Sequence, residues 1–242
     1  MSNNFKYPDT NSSRGKIEFL NRKFEGQKIA IIGLGGTGSY ILDLVAKTDV
    51  SEIHLFDYDI FQLHNAFRSP GAPDGELLDK GIKKVDYFHE IYSRMHNYIV
   101  PHDTKITSDN LHVLSGFSFV FISVDKNEAR HTIAHGLVGM AIPFADTGLG
   151  LKMVNDALIG TIRVTTASKE KNDHLVSRFG SDEFEENEYS TNVQIAELNC
   201  YAAVLAVLKW KKLLGFYQDF KSEYNTLYFI NTNKLLNEDH SA

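Results

Sequence analysis

Gly33-Leu34-Gly35-Gly36-Thr37-Gly38 is the segment of this chain whose residue types and spacing speak most directly to chemistry. Glycines at this spacing have three uses: Gly33 permits a tight turn after a strand, Gly35 lets bare backbone approach a phosphate, and Gly38 lets the next helix pack close to the strand. The unpaired N–H groups of that helix's first turn then attract an anion. Asp57 follows at the distance, roughly 20 residues on, where a carboxylate accepts hydrogen bonds from ribose hydroxyls. Glycines and acid together predict a nucleotide site, but the turn alone does not choose among NAD, S-adenosylmethionine and ATP.

Residues beyond the turn make that choice. Asp57-Tyr58-Asp59 leads into His64-Asn65-Ala66-Phe67-Arg68, then Lys80, Lys83 and Lys84, and much later Asp125. A triphosphate carries about four negative charges and calls for cations with a magnesium-holding carboxylate, whereas hydride transfer has no use for that set. Arg68 can grip phosphate oxygens in a fork and Lys84 can act as a point charge. Asp125, at the carboxyl end of a strand, opens into the crevice where ligands of such sheets bind. Lys80 and Lys83 compete with Lys84, because the loop Gly71 to Asp79 leaves the register open. Asp125 could instead cap the next helix, and His64 either lines the nucleotide site or packs beside the loop.

The elements that must position these residues alternate. Lys28 to Ile32 is a short β-branched strand, and Ser39 to Lys47 is helical, with Ile41, Leu44 and Val45 on one face. Glu52 to Phe56 is a second strand, Leu77 to Met95 a helical stretch, Tyr98 to Pro101 a third strand, and Phe117 to Val124 an apolar strand ending at Asp125. A helix from Asn127 to Val138 and a strand at Ile142 to Ala145 follow, and Ala157 to Thr166 has no crossover helix before it, which suits an antiparallel edge. The expectation is a Rossmann-like α/β fold, a mostly parallel sheet with helices on both faces and an antiparallel extension. Residues 1–13 are polar and suit a flexible arm, with one domain over 14–242: a nucleotide-binding core at 14–165, an acidic loop at 166–190, and a closing helix and strand at 191–242. The helix, Thr191 to Leu214, carries Val193, Ala196, Cys200, Ala203 and Val207 at spacings of three and four, and the strand is Thr226 to Ile230.

Composition narrows the class. At 242 residues the chain suits one large α/β domain, and 43% hydrophobic content supplies a core. A net charge of −6 lacks the positive field that draws proteins to nucleic acid or anionic membranes. No stretch approaches the 18 or so apolar residues of a membrane span, and the N-terminus has no signal-peptide core, so a cytoplasmic protein is expected. Cys200 is the single cysteine, which excludes a disulfide scaffold.

With these residues in order, Gly33 to Ser39, Asp57-x-Asp59, Asn65-x-x-Arg68, Lys84-Val85 and Asp125-x-Asn127-x-Ala129-Arg130, the sequence resembles the ThiF/MoeB family, adenylyltransferases related to ubiquitin-activating enzymes. The resemblance covers residues 28 to about 165. It implies a sheet of about eight strands and a homodimer. It also implies ATP- and Mg²⁺-dependent adenylation of the C-terminal glycine carboxylate of a ubiquitin-like or sulfur-carrier β-grasp protein, with release of pyrophosphate. Carried over, Gly33, Gly35, Gly36 and Gly38 hold phosphates, Asp57 and Asp59 belong to the nucleotide site with Asp57 on the ribose, Asn65, Arg68 and Lys84 meet the triphosphate, and Asp125 holds magnesium. Arg68, Lys84 and Asp125 are the catalytic candidates. Arg14 matches, in poor surroundings, an arginine that reaches the partner subunit's ATP.

The chain also departs from the family. The two Cys-x-x-Cys pairs that hold a structural zinc in many relatives are absent, so no zinc is expected. The cysteine that forms a thioester in ubiquitin-activating enzymes has no counterpart in the loop Lys169 to Tyr189, and Cys200 reads as a buried, inert thiol. The expectation is an acyl-adenylate passed directly to another protein's thiol, such as a ubiquitin-conjugating-enzyme-like acceptor, or to a sulfur donor. His131 and His135 lack a third metal ligand, Lys209-Trp210-Lys211-Lys212 reads as a solvated helix end, and Asp182 to Glu188 as a solvated loop or a partner contact. The rivals are an NAD-dependent oxidoreductase and a catalytically silent scaffold subunit.

Overall fold

The computed structural model describes residues 4–179 and 193–240. Its strands are β1 (Lys28–Ile32), β2 (Glu52–Asp57), β3 (Ile99–Asp103), β4 (Phe119–Ile122), β5 (Phe144–Val154), β6 (Ala157–Ala167), β7 (Glu223–Phe229) and β8 (Lys234–His240). Its α-helices are α1 (Thr10–Gly15), α2 (Gly36–Val45), α3 (Leu63–Ala66), α4 (Gly75–Leu78), α5 (Lys84–Tyr92), α6 (Asn127–Gly139), α7 (Leu175–Phe179) and α8 (Ala196–Leu213). The strands form one sheet in the order β3-β2-β1-β4-β5-β6-β7-β8. Pairing is parallel from β3 through β5 and antiparallel from β5 to β8. This is the Rossmann-like α/β architecture with an antiparallel extension that the alternation of elements predicts.

β1 is apolar throughout after Lys28 because both of its faces are covered. Ile29 and Ile31 join Ile41 and Val45 of α2, Phe88 of α5, and Ala203 and Trp210 of α8 in one core. Ala30 and Ile32 face the other way, with Val120, Ile122 and α6 residues Ile133, Ala134 and Leu137. Burying a large apolar side chain contributes on the order of 1.5–3 kcal/mol, so these two layers pin β1 and β4 side by side. From β1 the chain crosses to β2 on one side, and β4 lies on the other. The carboxyl ends of β1, β2 and β4 therefore surround the topological switch point of the sheet, where open α/β sheets bind ligands.

Several elements differ from the sequence expectation. Residues 4–13 are not a free arm: Asn97 N donates to Asn4 O, Phe5 bridges His96, and Asp9 caps α1. β5 runs on to Val154 and turns into β6 at Asn155 and Asp156, both at positive φ, as a tight two-residue hairpin requires. The stretch after Lys169 contains α7, with the buried His174 immediately before it. Asp182 to Glu188 lie outside the described residues. α8 buries Asn199, Ala202, Ala203, Ala206, Val207, Lys209 and Trp210, so Ala203 and Val207 of the expected stripe are packed, but the buried face is centred away from the half-buried Cys200. Among the described residues no helix is long and apolar enough to cross a membrane.

Candidate functional site

The glycine turn joins β1 to α2 at the switch point. Gly33 has φ +88°, and a Cβ there would lie 2.5 Å from the Ser123 carbonyl oxygen, so both backbone and space demand glycine. A Cβ on Gly38 would overlap the Gly33 carbonyl, and one on Gly36 would overlap the Asn199 amide. Gly35 is different, because its Cβ would meet nothing within 4 Å. It is also the N-cap of α2 and makes no side-chain cap. The space beside Gly35, at the N-terminus of α2, is thus open, where bare backbone can be approached by a phosphate.

Asp57 ends β2 and braces this turn. Its Oδ2 accepts from Leu34 N at 2.7 Å and its Oδ1 from Asp59 N at 2.9 Å. Each oxygen keeps a lone pair, so bracing the turn and accepting from a ribose are compatible. Of the three lysines, Lys84, at the start of α5, is the one placed beside the turn-bracing carboxylates: it is 6% exposed, with Nζ 2.7 Å from Asp59 Oδ2 and 3.7 Å from Asp57 Oδ1. Lys83 turns away to the Tyr58 carbonyl and Asp103, and Lys80 is exposed. Lys84 gets there because its backbone N donates to Asp59 O, which draws α5 back over β2.

α3 carries Asn65 and leads to Arg68. Asn65 is buried, and its Oδ1 accepts from Gln62 N in a capping box, while its Nδ2 has no partner. Arg68 Nε is likewise buried without a hydrogen-bond acceptor. Burial pushes the Arg68 guanidinium below its usual range, and the charges of Asp125 and Asp59 oppose that shift. Burial, then Arg68 and Lys84, lower His64. These shifts put His64, Arg68, Lys84, Asp59 and Asp125 in one electrostatic neighbourhood. Two buried donors with no protein acceptor suit an oxygen-rich ligand.

Asp125 is exposed, just past β4. It does not cap α6, whose N-cap is Lys126 without a side-chain bond. Its backbone is steadied by Arg130, which donates from Nη2 to the Val124 carbonyl at 2.7 Å and the Thr147 carbonyl at 3.0 Å. Arg130 in turn lies 2.8 Å from Asp146, a fully buried carboxylate also held by Arg163 at 2.6 Å. Asp146, Arg163 and Asn199 were not legible as site-supporting residues; the one available signal was polarity inside otherwise apolar strands and a helix.

The remaining candidates lie elsewhere. Arg14 is exposed at the end of α1. His131 and His135 stack on each other, and among the described residues no group of three or more His, Cys, Asp or Glu could hold a metal ion. Cys200 is half-buried, and burial with the Asp43 charge raises its thiol. Lys209 to Lys212 are not a solvated end: Lys209 and Lys212 clamp Glu223, Trp210 is fully buried, and Lys211 lies over the rings of Phe24 and Phe216.

The ThiF family model matches residues 15–240. Ubiquitin-like modifier-activating enzyme 5 of Culex quinquefasciatus is 34% identical over 93 residues, which are 38% of this chain and 21% of that protein. The molybdopterin-synthase adenylyltransferase of Salmonella typhimurium is 24% identical over 149 residues, covering 58% of each. These relatives are therefore spanned only in part. The crystal structure of E. coli MccB with ATP shares the fold, with a TM-score of 0.73 over 97% of this chain and 72% of that one at 16% identity.

Proposed function

The chain belongs to the ThiF family, and we propose that it is a single adenylation domain over 14–242 that binds ATP with magnesium and adenylates the C-terminal glycine carboxylate of a ubiquitin-like or sulfur-carrier β-grasp protein, releasing pyrophosphate. The observation that carries the reading is the convergence of an open glycine turn, the buried Lys84, and the unpartnered donors Asn65 Nδ2 and Arg68 Nε at the carboxyl edge of the sheet. Such a set suits a triphosphate better than a dinucleotide used for hydride transfer, which needs no cluster of cations. The relatives, a ubiquitin-like modifier-activating enzyme and a molybdopterin-synthase adenylyltransferase by name, support the same class of reaction.

In this reading the first-turn N–H groups of α2 and the Gly35 backbone receive phosphate oxygens, Asp57 adds ribose hydroxyls to the backbone donors it already accepts from, and Asn65, Arg68 and Lys84 offset the charge of the polyphosphate. Asp125 is the protein carboxylate for magnesium. That ion commonly binds one or two carboxylates plus phosphates and keeps several waters, so a lone exposed aspartate is an adequate donor. A carboxylate is already a nucleophile once its repulsion from phosphate is screened, so positioning and charge neutralisation do the chemistry. A raised thiol at Cys200 fits passage of the acyl-adenylate to an acceptor outside this chain, a sulfur donor or the thiol of a ubiquitin-conjugating-like protein. A second copy of the chain belongs to the proposal as its dimer partner.

The test is ATP–pyrophosphate exchange with a panel of β-grasp proteins ending in glycine. Exchange that requires both a carrier and intact Arg68 and Asp125, lost in Arg68→Ala and Asp125→Ala, is the expected result. No exchange with any carrier, although ATP binds, would overturn the proposed substrate and favour a silent subunit.

A further inference from the structure

Asn199 lies in the first turn of α8, is 1% exposed, and reaches two separate parts of the nucleotide site. Its Oδ1 accepts from Thr37 Oγ1 at 2.9 Å, in the first turn of α2. Its Nδ2 approaches the Arg68 main-chain carbonyl at 3.5 Å. The same amide lies so close to Gly36 that no Cβ fits there. The rest of this helix face consists of Ala202, Ala203, Ala206, Val207 and Trp210 beside one paired lysine, so packing alone does not call for an amide. An amide buried without partners costs free energy, and here both of its polar ends are directed at the segments that carry the glycine turn and Arg68.

Arg68 needs such a tie. It follows α3, a four-residue helix that cannot hold itself. The local bonds around it, Arg68 N to Asn65 O and Ser69 Oγ to Asn65 O, lead back to that same turn. Asn199 connects the segment instead to α8, an 18-residue helix anchored in the core by Trp210. We infer that Asn199 is a positioning residue: it holds the Arg68 backbone at a set distance from the first turn of α2, so that the guanidinium and the helix N–H groups converge on one polyphosphate. The 3.5 Å separation is at the long limit of a hydrogen bond, and polar contacts at such sites tighten when the ligand binds. The inference rests on the proposed role of Arg68 at the polyphosphate and assigns its guanidinium to the phosphates beyond the α-phosphate. It therefore concerns discrimination between ATP and AMP, which lacks those phosphates, and not affinity for adenosine as such.

The experiment compares equilibrium binding of Mg-ATP and of AMP to the wild-type chain, Asn199→Ala and Arg68→Ala, with a thermal melt of each. Expected is a roughly five- to tenfold loss of ATP affinity in Asn199→Ala, the scale of one or two neutral hydrogen bonds, with AMP affinity changed less than about twofold. Arg68→Ala moves the ATP/AMP ratio in the same direction and further. Should Asn199→Ala not fold, Thr37→Val removes the other end of the tie at constant shape and is expected to lower the ratio by a smaller factor. A merely structural role for Asn199 would lower the melting temperature and leave the ratio alone, and that result would overturn the inference while the Arg68 reading stood. An unchanged ratio in Arg68→Ala would bring down the Arg68 reading, and this inference with it.

Discussion

Asp57→Asn separates two roles for the carboxylate that closes β2. If Asp57 serves only to accept from a ligand's ribose, the substitution lowers nucleotide affinity and leaves the fold alone. The structure gives it a second task, because its two oxygens accept from Leu34 N at 2.7 Å and Asp59 N at 2.9 Å, and Asp57 is 8% exposed. An asparagine keeps one acceptor but turns an NH₂ toward the other backbone N–H. The loss is then one hydrogen bond to a charged group plus one buried donor left without an acceptor, together about 3 kcal/mol. Lys84 also loses a charge 3.7 Å away, although Asp59 still holds it. For a domain of this size each kcal/mol moves the melting temperature by roughly 2–4 °C, so Asp57→Asn is expected to melt about 6–12 °C lower with no nucleotide present. Circular dichroism melts, paired with urea titrations at constant slope, make the measurement. A melting temperature within about 2 °C of wild type, with ATP affinity reduced, would refute the bracing argument and leave Asp57 a ligand acceptor alone.

Three further outcomes are expected. Gly38→Ala forces a Cβ onto the Gly33 carbonyl and is expected to cost about 3 kcal/mol or more, whereas Gly35→Ala meets no protein atom, costs about 1 kcal/mol, and instead weakens ATP binding; paired melts and titrations read the contrast. Asp146→Ala strands Arg130 and Arg163 without their buried carboxylate and is expected to cost about 3–5 kcal/mol in urea unfolding; a change under about 1 kcal/mol would count against the network. For Glu223, burial alone would raise its carboxyl, but Lys212, its own backbone N–H and Lys209 outweigh it and hold the group at about 2, below the ordinary 4.5. A depressed folded-state value means stability that is present above pH 4.5 and lost as pH falls toward 2, on the order of 3 kcal/mol; Glu223→Gln should flatten that part of the pH profile, and an equally steep profile in the variant would contradict the assignment.

The elements legible in the sequence are those whose signals are local. The run Lys28 to Ile32, the glycines, and Glu52 to Asp57 lie within 30 residues of one another, and each advertises its neighbour through periodicity or turn chemistry. β8 is not legible in this way: Lys-Leu-Leu-Asn-Glu-Asp-His is an edge strand, defined by pairing with β7 and not by alternation. The N-terminal residues look like a free arm because their partners, Met95 to Asn97, are some 90 positions away. On α8 the burial of Asn199 against Gly36 breaks the apolar pattern, so a stripe drawn through apolar residues alone lands on Cys200, which is only half-buried.

The lysines show why even a recognised site stays ambiguous in sequence. Lys83 and Lys84 are adjacent and chemically identical, and burial alone tells them apart: Lys84 is 6% exposed, while the Lys83 side chain is 36% exposed. That difference arises from the bridge between Ile60 and Lys83 and from the bond of Lys84 N to Asp59 O, contacts that close a span of more than twenty residues holding only the short α3 and α4. The same burial divides the charges of the site by mobility. Asp57 and Lys84 are both buried and must keep each other and the backbone satisfied at all times, so they form the fixed frame. Asp59, with half of its side chain exposed, and the exposed Asp125 are cheaply hydrated and, on the proposed reading, can turn to a cation or to water. Arg68 is partly desolvated and feels the charges of Asp125 and Asp59 at once. On the proposed reading, Asp57 and Asp59 stand in for phosphate beside Lys84 in the resting site, and a polyphosphate displaces only the exposed Asp59.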